Sequence, residues 1–233
     1  MTRHELKEQL EHDQFTESVS SALEYASAHK QNLIRWGIVA GVAVLLVAAA
    51  VWFNSYRRAQ RQRDLQAAFA IVDAQVGPPN EYSKTFATQD EKNRASIKAL
   101  SDVVAKDGGT AEGYLAQYYL GTLKAQQGDL KGAESDLSKV ASSGTDSAAL
   151  AKIALAQVYL STNRTSQAQE LLRALVNKPT DLVSKGQAQI LLAQIDASAN
   201  PQQARQILQT LKGPKTDPAV SRAADQLSAQ IAK

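Results

Sequence analysis

A chain of 233 residues is long enough for one or two domains, and its makeup, 44% hydrophobic but only 6% aromatic and rich in Ala, Gln, Leu and Ser, favours helix over strand. The absence of Cys excludes disulfides, thiolate chemistry and Cys-based zinc or iron–sulfur centres. The net charge of +3 divides into −2 over residues 1–35, +4 over 57–63 and +1 over 64–233, so the basic character is one short cluster and not the domain-wide face of a nucleic-acid binder.

Residues 1–35 form an N-terminal arm in which Leu6, Leu10, Val19 and Leu23 follow an amphipathic pattern, so a short helix is expected there. All three His residues (His4, His12, His29) lie in this arm. The string "HELKEQLEH" lacks the spacing of a zinc-binding HExxH helix, and no metal site is expected.

Trp36 to Phe53 is an 18-residue run without a charge. As a helix it is about 27 Å long, close to the roughly 30 Å hydrocarbon layer of a bilayer. Trp36 and Trp52 stand near its ends, where amphipathic rings favour the headgroup region, and Arg57, Arg58, Arg61 and Arg63 follow as interface anchors. Two alternatives compete. Ala48-Ala49-Ala50 fits a signal-peptidase site, but the run starts late, exceeds the usual apolar core of a signal and is followed by Trp52-Phe53 and the Arg cluster. A buried soluble helix is the other. The run is read as a single transmembrane helix over 36–56. Gly37 and Gly41, one turn apart, would let another membrane helix approach closely, although Gly is also simply common in such helices. The Arg excess after the span favours a cytoplasmic C-terminal domain, a bias that long domains can override.

From residue 57 the chain reads as helices separated by short Gly, Asn, Asp and Pro turns, with no sustained period-2 alternation, so strands are not expected. Residues 57–110 are read as a juxtamembrane helix (Ala59 to Val76), a loop "GPPNEYSKTFATQ" and a second helix over 90–109, together a degenerate first repeat. Residues 111–217 hold three repeats. Gly121, Ala156 and Ala193 are followed by Ala133, Ala168 and Ala204, and then by Leu137 and Val140, Leu172 and Leu175, Leu208 and Leu211. Small residues at those positions let paired helices approach, and the larger ones bury against the next unit. Gly128-Asp129 and Asn163 supply turns, Pro201 opens a helix, and 218–233 is a terminal capping helix.

No catalytic constellation is found. The chain has no phosphate-cradling glycine loop and no nucleophile elbow, and its acidic residues stand beside Lys or Arg as on a solvated face, so neither an enzyme nor a bound cofactor is expected. A stack of helix pairs offers instead a surface lined by the first helix of each unit. Spacing places Leu115, Tyr118, Thr122 and Gln126 there, then Ile153, Gln157 and Leu160, then Gln187, Ile190 and Gln194. Leu115, Ile153 and Ile190 are equally readable as core. The groove suits an extended peptide or a partner helix.

The repeat pattern resembles the tetratricopeptide repeat, a unit of about 34 residues, although Gln117, Lys152 and Gln189 stand where that family often has Trp. The whole chain is therefore expected to be all-α, a single N-terminal transmembrane helix followed by a tetratricopeptide-like α-solenoid. The layout of arm, span ending "WFNSYRRAQ" and repeats is similar to that of the bacterial YfgM-type ancillary subunits of the SecYEG translocon, which share their repeat domain with the division coordinator CpoB. The resemblance implies a bacterial inner-membrane protein with a periplasmic repeat domain whose partners are translocon components, periplasmic chaperones or exported clients.

Overall fold

A computed structural model describes residues 30–78, 84–213 and 216–231. The expected helix of the N-terminal arm and the three His residues lie outside the described residues. Tertiary contacts divide the chain into two units, Met1–Ala59 and Gln60–Lys233, and the division falls within the first helix of the described residues, α1 (Lys30–Val72).

In the N-terminal unit every residue from 35 to 59 is exposed. Trp36 and Trp52 are each 73% exposed, and the intervening Val and Leu residues are half bare or more. An 18-residue window of the helix has a mean hydropathy of 2.3, none of that window is buried, and the helix is long and apolar enough to cross a membrane. Leaving each such side chain in water forgoes about 1.5–3 kcal/mol relative to burial. The reading as a buried soluble helix gains no support from the described residues, none of which covers the run.

In the C-terminal unit α1 ends at Val72, four residues before the expected Val76. Gln75 and Val76 leave the helix to pair with Thr85 and Phe86, and Pro78, which pushes Gly77 out of the helical region, keeps the helix from resuming. A second correction follows. Residues read as the end of that helix, β1 (Gln75–Val76), pair in parallel with β2 (Thr85–Phe86) inside the segment read as loop, in the register Gln75 to Thr85 and Val76 to Phe86. A pairing this short has no period to detect.

The remaining helices among the described residues are α2 (Gln89–Asp107), α3 (Ala111–Gln126), α4 (Leu130–Ala141), α5 (Ser147–Ser161), α6 (Thr165–Asn177), α7 (Lys185–Ala199), α8 (Pro201–Thr210) and α9 (Pro218–Ile231). Thr88, Thr110, Asp129, Ser184 and Asn200 accept backbone N–H bonds as N-caps, and Pro201 opens α8. Gly128 (φ 83°) and Asn163 (φ 58°) adopt the left-handed conformation that closes the turns after α3 and α5. From α2 onward each helix packs on the next in sequence; α3 also meets α5, and α7 meets α9.

The small-then-large pattern is the packing code. Ala133, Leu137 and Val140 are fully buried, as are Ala168, Leu172 and Leu175 to within 2% and Ala204, Leu208 and Leu211 to within 5%. On α2, Ser96, Leu100 and Val103 repeat the same spacing with exposures of 2%, 0% and 4%. Leu100 and Val103, together with Leu65 and Ala68 of α1 and Ala116 and Leu120 of α3, form the first of four apolar clusters strung along the unit. α9 buries Val220, Ala224 and Leu227 on one side and presents Arg222, Asp225, Gln226 and Gln230 outward. One apolar stripe and one polar face is what a terminal helix of a stack requires.

Candidate protein-binding trough

Three neighbouring hollows, of about 680, 380 and 250 Å³, run along the faces of α3, α5 and α7. Ile153 lines all of them, Gln157 joins the second to the third, and Gln194 joins the first to the third. Shared walls make them one trough. Of the residues expected there, the structure brings Tyr118, Thr122, Gln126, Gln157, Gln187 and Gln194 to it, together with Ile153, Leu160 and Ile190. Ile153 is half-buried: it lines the trough while packing against a core cluster.

Leu115 is a correction. It packs on the cluster of Leu65, Leu100, Val103 and Leu120, on the side of α3 turned to the preceding unit. Gln187 reaches the trough, but its side chain serves a capping box: Oε1 accepts from the Ser184 N–H at 2.8 Å while its own N–H donates to the Ser184 hydroxyl at 3.2 Å. Sequence reasoning missed the wall made by α9, where Val220 and Ala223 close the largest hollow, and missed Leu182 in the α6–α7 connection. The signal for Leu182 was an apolar pair, Leu182-Val183, inside an otherwise polar connection; Val183 is buried and Leu182 is 50% exposed.

The trough carries little charge. Its lining contains no Lys, Arg or Glu, and the carboxylate of Asp217 accepts from the backbone N–H groups of Ala219 (2.8 Å) and Val220 (3.3 Å) at the start of α9. Beyond Tyr118 lies a further hollow of about 430 Å³ between α1, α2 and α3, sharing Tyr118, Thr122 and Gln126 with the trough. Tyr119 makes edge contacts there with Phe69 (4.8 Å) and Tyr118 (5.2 Å). Burial, followed by the neighbouring Tyr119, pushes the Tyr118 hydroxyl above its ordinary pKa, so it stays a neutral donor at physiological pH. Tyr114 instead packs on the core between α4 and α5.

The reading of the acidic residues as mostly lying on a solvated face meets exceptions at the helix seams. Asp136 is 8% exposed and accepts from Gln117 (3.1 Å) and Lys124 (2.7 Å), joining α3 to α4. Gln117 thus fills with a hydrogen bond a position where a bulky ring would otherwise pack. Asp196 is fully buried and accepts from Gln169 at 2.6 Å, joining α7 to α6. Glu134 and Arg164 form a bidentate pair at 2.8 and 2.5 Å, with the guanidinium 4.3 Å above the Tyr159 ring. Arg164 holds the Glu134 carboxyl below its usual range.

Among the residues expected at a membrane interface, Trp36 and Trp52 are exposed; Trp52 stacks on Tyr56 at 6.2 Å, and Arg57 sits 5.6 Å from the Phe53 ring centroid. Arg58 and Arg63 are exposed. Arg61 differs: its side chain is 19% exposed and ion-paired with Glu112 of α3 at 3.4 Å, so it ties α1 to the repeats. A Cβ added at Gly37 or Gly41 would meet nothing within 4 Å. Among the described residues no group of three or more His, Cys, Asp or Glu is gathered as a metal site would need.

Comparison with known proteins adds one match. Residues 30–181 fit the sequence profile of the tetratricopeptide repeat-like domain. No curated protein and no solved structure matches the chain. With well over half of its length covered by that profile, and with stacked helix pairs behind it, the chain belongs to the tetratricopeptide repeat-like domain family.

Proposed function

We propose that this chain is a membrane-anchored protein-binding subunit, with α1 spanning the bilayer over about residues 36–56 and the trough holding a partner polypeptide. The observation that carries the reading is where the bare apolar side chains fall. Among the described residues of the C-terminal unit the exposed large hydrophobics are Val76, Tyr119, Leu160 and Leu182. Leu160 and Leu182 line the trough, and Tyr119 lines the hollow that continues it. Soluble surfaces rarely gather such residues without a partner to cover them.

The partners we favour belong to the bacterial protein-export machinery: translocon components, periplasmic chaperones or emerging clients, met by a repeat domain on the periplasmic side of the inner membrane. The support is the resemblance in layout and a neutral apolar trough suited to unfolded chain. The second reading is a cytoplasm-facing scaffold for an envelope-assembly or division complex, favoured by Arg57, Arg58, Arg61 and Arg63 after the span.

A C-terminal reporter fusion distinguishes the two, the first requiring an extracytoplasmic signal. Site-specific crosslinking from Leu160 and Leu182 in cells then tests the trough. Adducts to export components support the proposal; adducts confined to division proteins support the second reading; no adduct from either position removes the trough from both.

A further inference from the structure

We infer that the turn of α1 just beyond the apolar run selects anionic phospholipids, whose phosphates Arg57 and Arg58 hold. The inference rests on the reading of α1 as a membrane span and adds the class of lipid that adjoins it. Depth and charge carry it.

Depth says what meets this turn. Phe53 closes the apolar run, and Arg57 and Arg58 follow about 6 and 7.5 Å further along the helix, against a headgroup layer of roughly 5–7 Å on each side of the hydrocarbon. Side chains of a helix lean toward its N-terminus, which here is the bilayer side. Arg57 does so: its guanidinium lies 5.6 Å from the Phe53 ring centroid. Trp52, stacked on Tyr56 at 6.2 Å, sets two exposed amphipathic rings at the same level. Both guanidinium groups therefore fall at the phosphates.

Charge says which headgroup suits them. No Asp or Glu occurs between Arg35 and Arg63. Asp64, the first carboxylate after the run, is engaged by Lys106, and Glu112 is engaged by Arg61. Arg57 and Arg58 are exposed, and among the described residues neither is ion-paired. A zwitterionic headgroup brings an ammonium along with its phosphate, and that ammonium meets two like charges and no carboxylate. A headgroup of net negative charge brings the phosphate without the ammonium, and a guanidinium binds it through two parallel N–H donors. Near an anionic surface each arginine is worth about a fivefold enrichment.

The test uses the full chain carrying Trp36→Phe, which leaves Trp52 as its one tryptophan, in vesicles of mixed phosphatidylcholine and phosphatidylglycerol. Bromine on the acyl chains of one lipid or the other quenches Trp52 according to which lipid adjoins it, so the two series give the relative affinity of the lipids at this turn. Phosphatidylglycerol is expected to be preferred at least about threefold at roughly 50 mM salt, with the preference falling toward parity at about 500 mM. Arg57→Gln/Arg58→Gln, at two exposed positions, is expected to bring it to within about 1.5-fold of parity. Equal quenching by both lipids with the arginines present overturns the inference and leaves the two groups to an acidic protein partner. A preference that survives the Gln variant overturns it as well. The same data separate the levels: quenching without preference keeps α1 in the bilayer, whereas no quenching by either lipid removes the span along with the inference.

Discussion

Gly121 and Leu137 lie so close across the α3–α4 seam that a Cβ on Gly121 would sit 2.8 Å from Leu137 Cγ and 3.3 Å from the Asp136 Cβ. The helices meet at a point with no room for a methyl group. Gly121→Ala gains up to about 1 kcal/mol of helix propensity but overpacks a rigid contact at about 1–3 kcal/mol, so a net loss is expected. Gly121→Val, larger and β-branched, is expected to cost about 3 kcal/mol. Thermal melts of the full chain in micelles check the order, wild type above Ala above Val.

The same seam depends on Asp136. Replacing it with Ala leaves the Gln117 amide without its acceptor and the Lys124 ammonium without its counter-charge, both largely covered. A loss of about 2–3 kcal/mol is expected, against less than about 0.5 kcal/mol for Asp102→Ala on an exposed pair. Denaturant titration, read at constant slope, measures both.

Glu134 sets a pH dependence. Its carboxyl is held below its ordinary value of 4.5 by Arg164, so the pair adds stability that is present above that pH and is lost as pH falls through the lowered value. Both side chains are about a third exposed, so solvent and salt screen the effect. Glu134→Gln is expected to melt a few degrees below wild type at neutral pH, and the gap should close as pH drops below 4.5. A gap that widened in acid would contradict the assignment.

The arginines after the apolar run separate by role. Arg61→Gln is expected to cost about 1–3 kcal/mol in the C-terminal unit, because Glu112 stays covered without its partner. Arg57→Gln and Arg58→Gln, exposed, are expected to leave the melt unchanged within about 0.5 kcal/mol. A urea series on the three variants decides it, and equal effects at all positions would dissolve the distinction.

Leu160 offers the cleanest test of the trough. It is 37% exposed, so Leu160→Arg should leave the melting temperature within a degree or two while crosslinking or co-purification of the partner falls at least about tenfold. The readout is partner recovery normalised to folded protein.

Much of this was legible in the sequence for a steric reason. Ala133, Ala168 and Ala204 recur because a helix seam tolerates little else, so packing imposed a spacing that could be counted. The unit built on Ser96 was recognisable only as degenerate, since Ser replaces Ala and the inserted β1–β2 segment breaks the distance to the preceding helix. Leu115 was misplaced because helical spacing defines a face without saying which neighbour it meets. Arg61 and Asp136 hid for a related reason: an ion pair between residues far apart in the chain leaves no local pattern. The wall from α9 depended on how the last helix folds back onto α7.

The interior of the repeats is divided into separate apolar clusters, each closed by adjacent helices. Damage in such a chain stays local. Peeling α9 away would strip one side from the largest hollow and bare Ala204 and Leu208, yet leave the Leu100 and Leu137 clusters intact. Pulling or proteolysis at that end would therefore unravel the molecule stepwise and widen its mouth before it lost its grip on the rest.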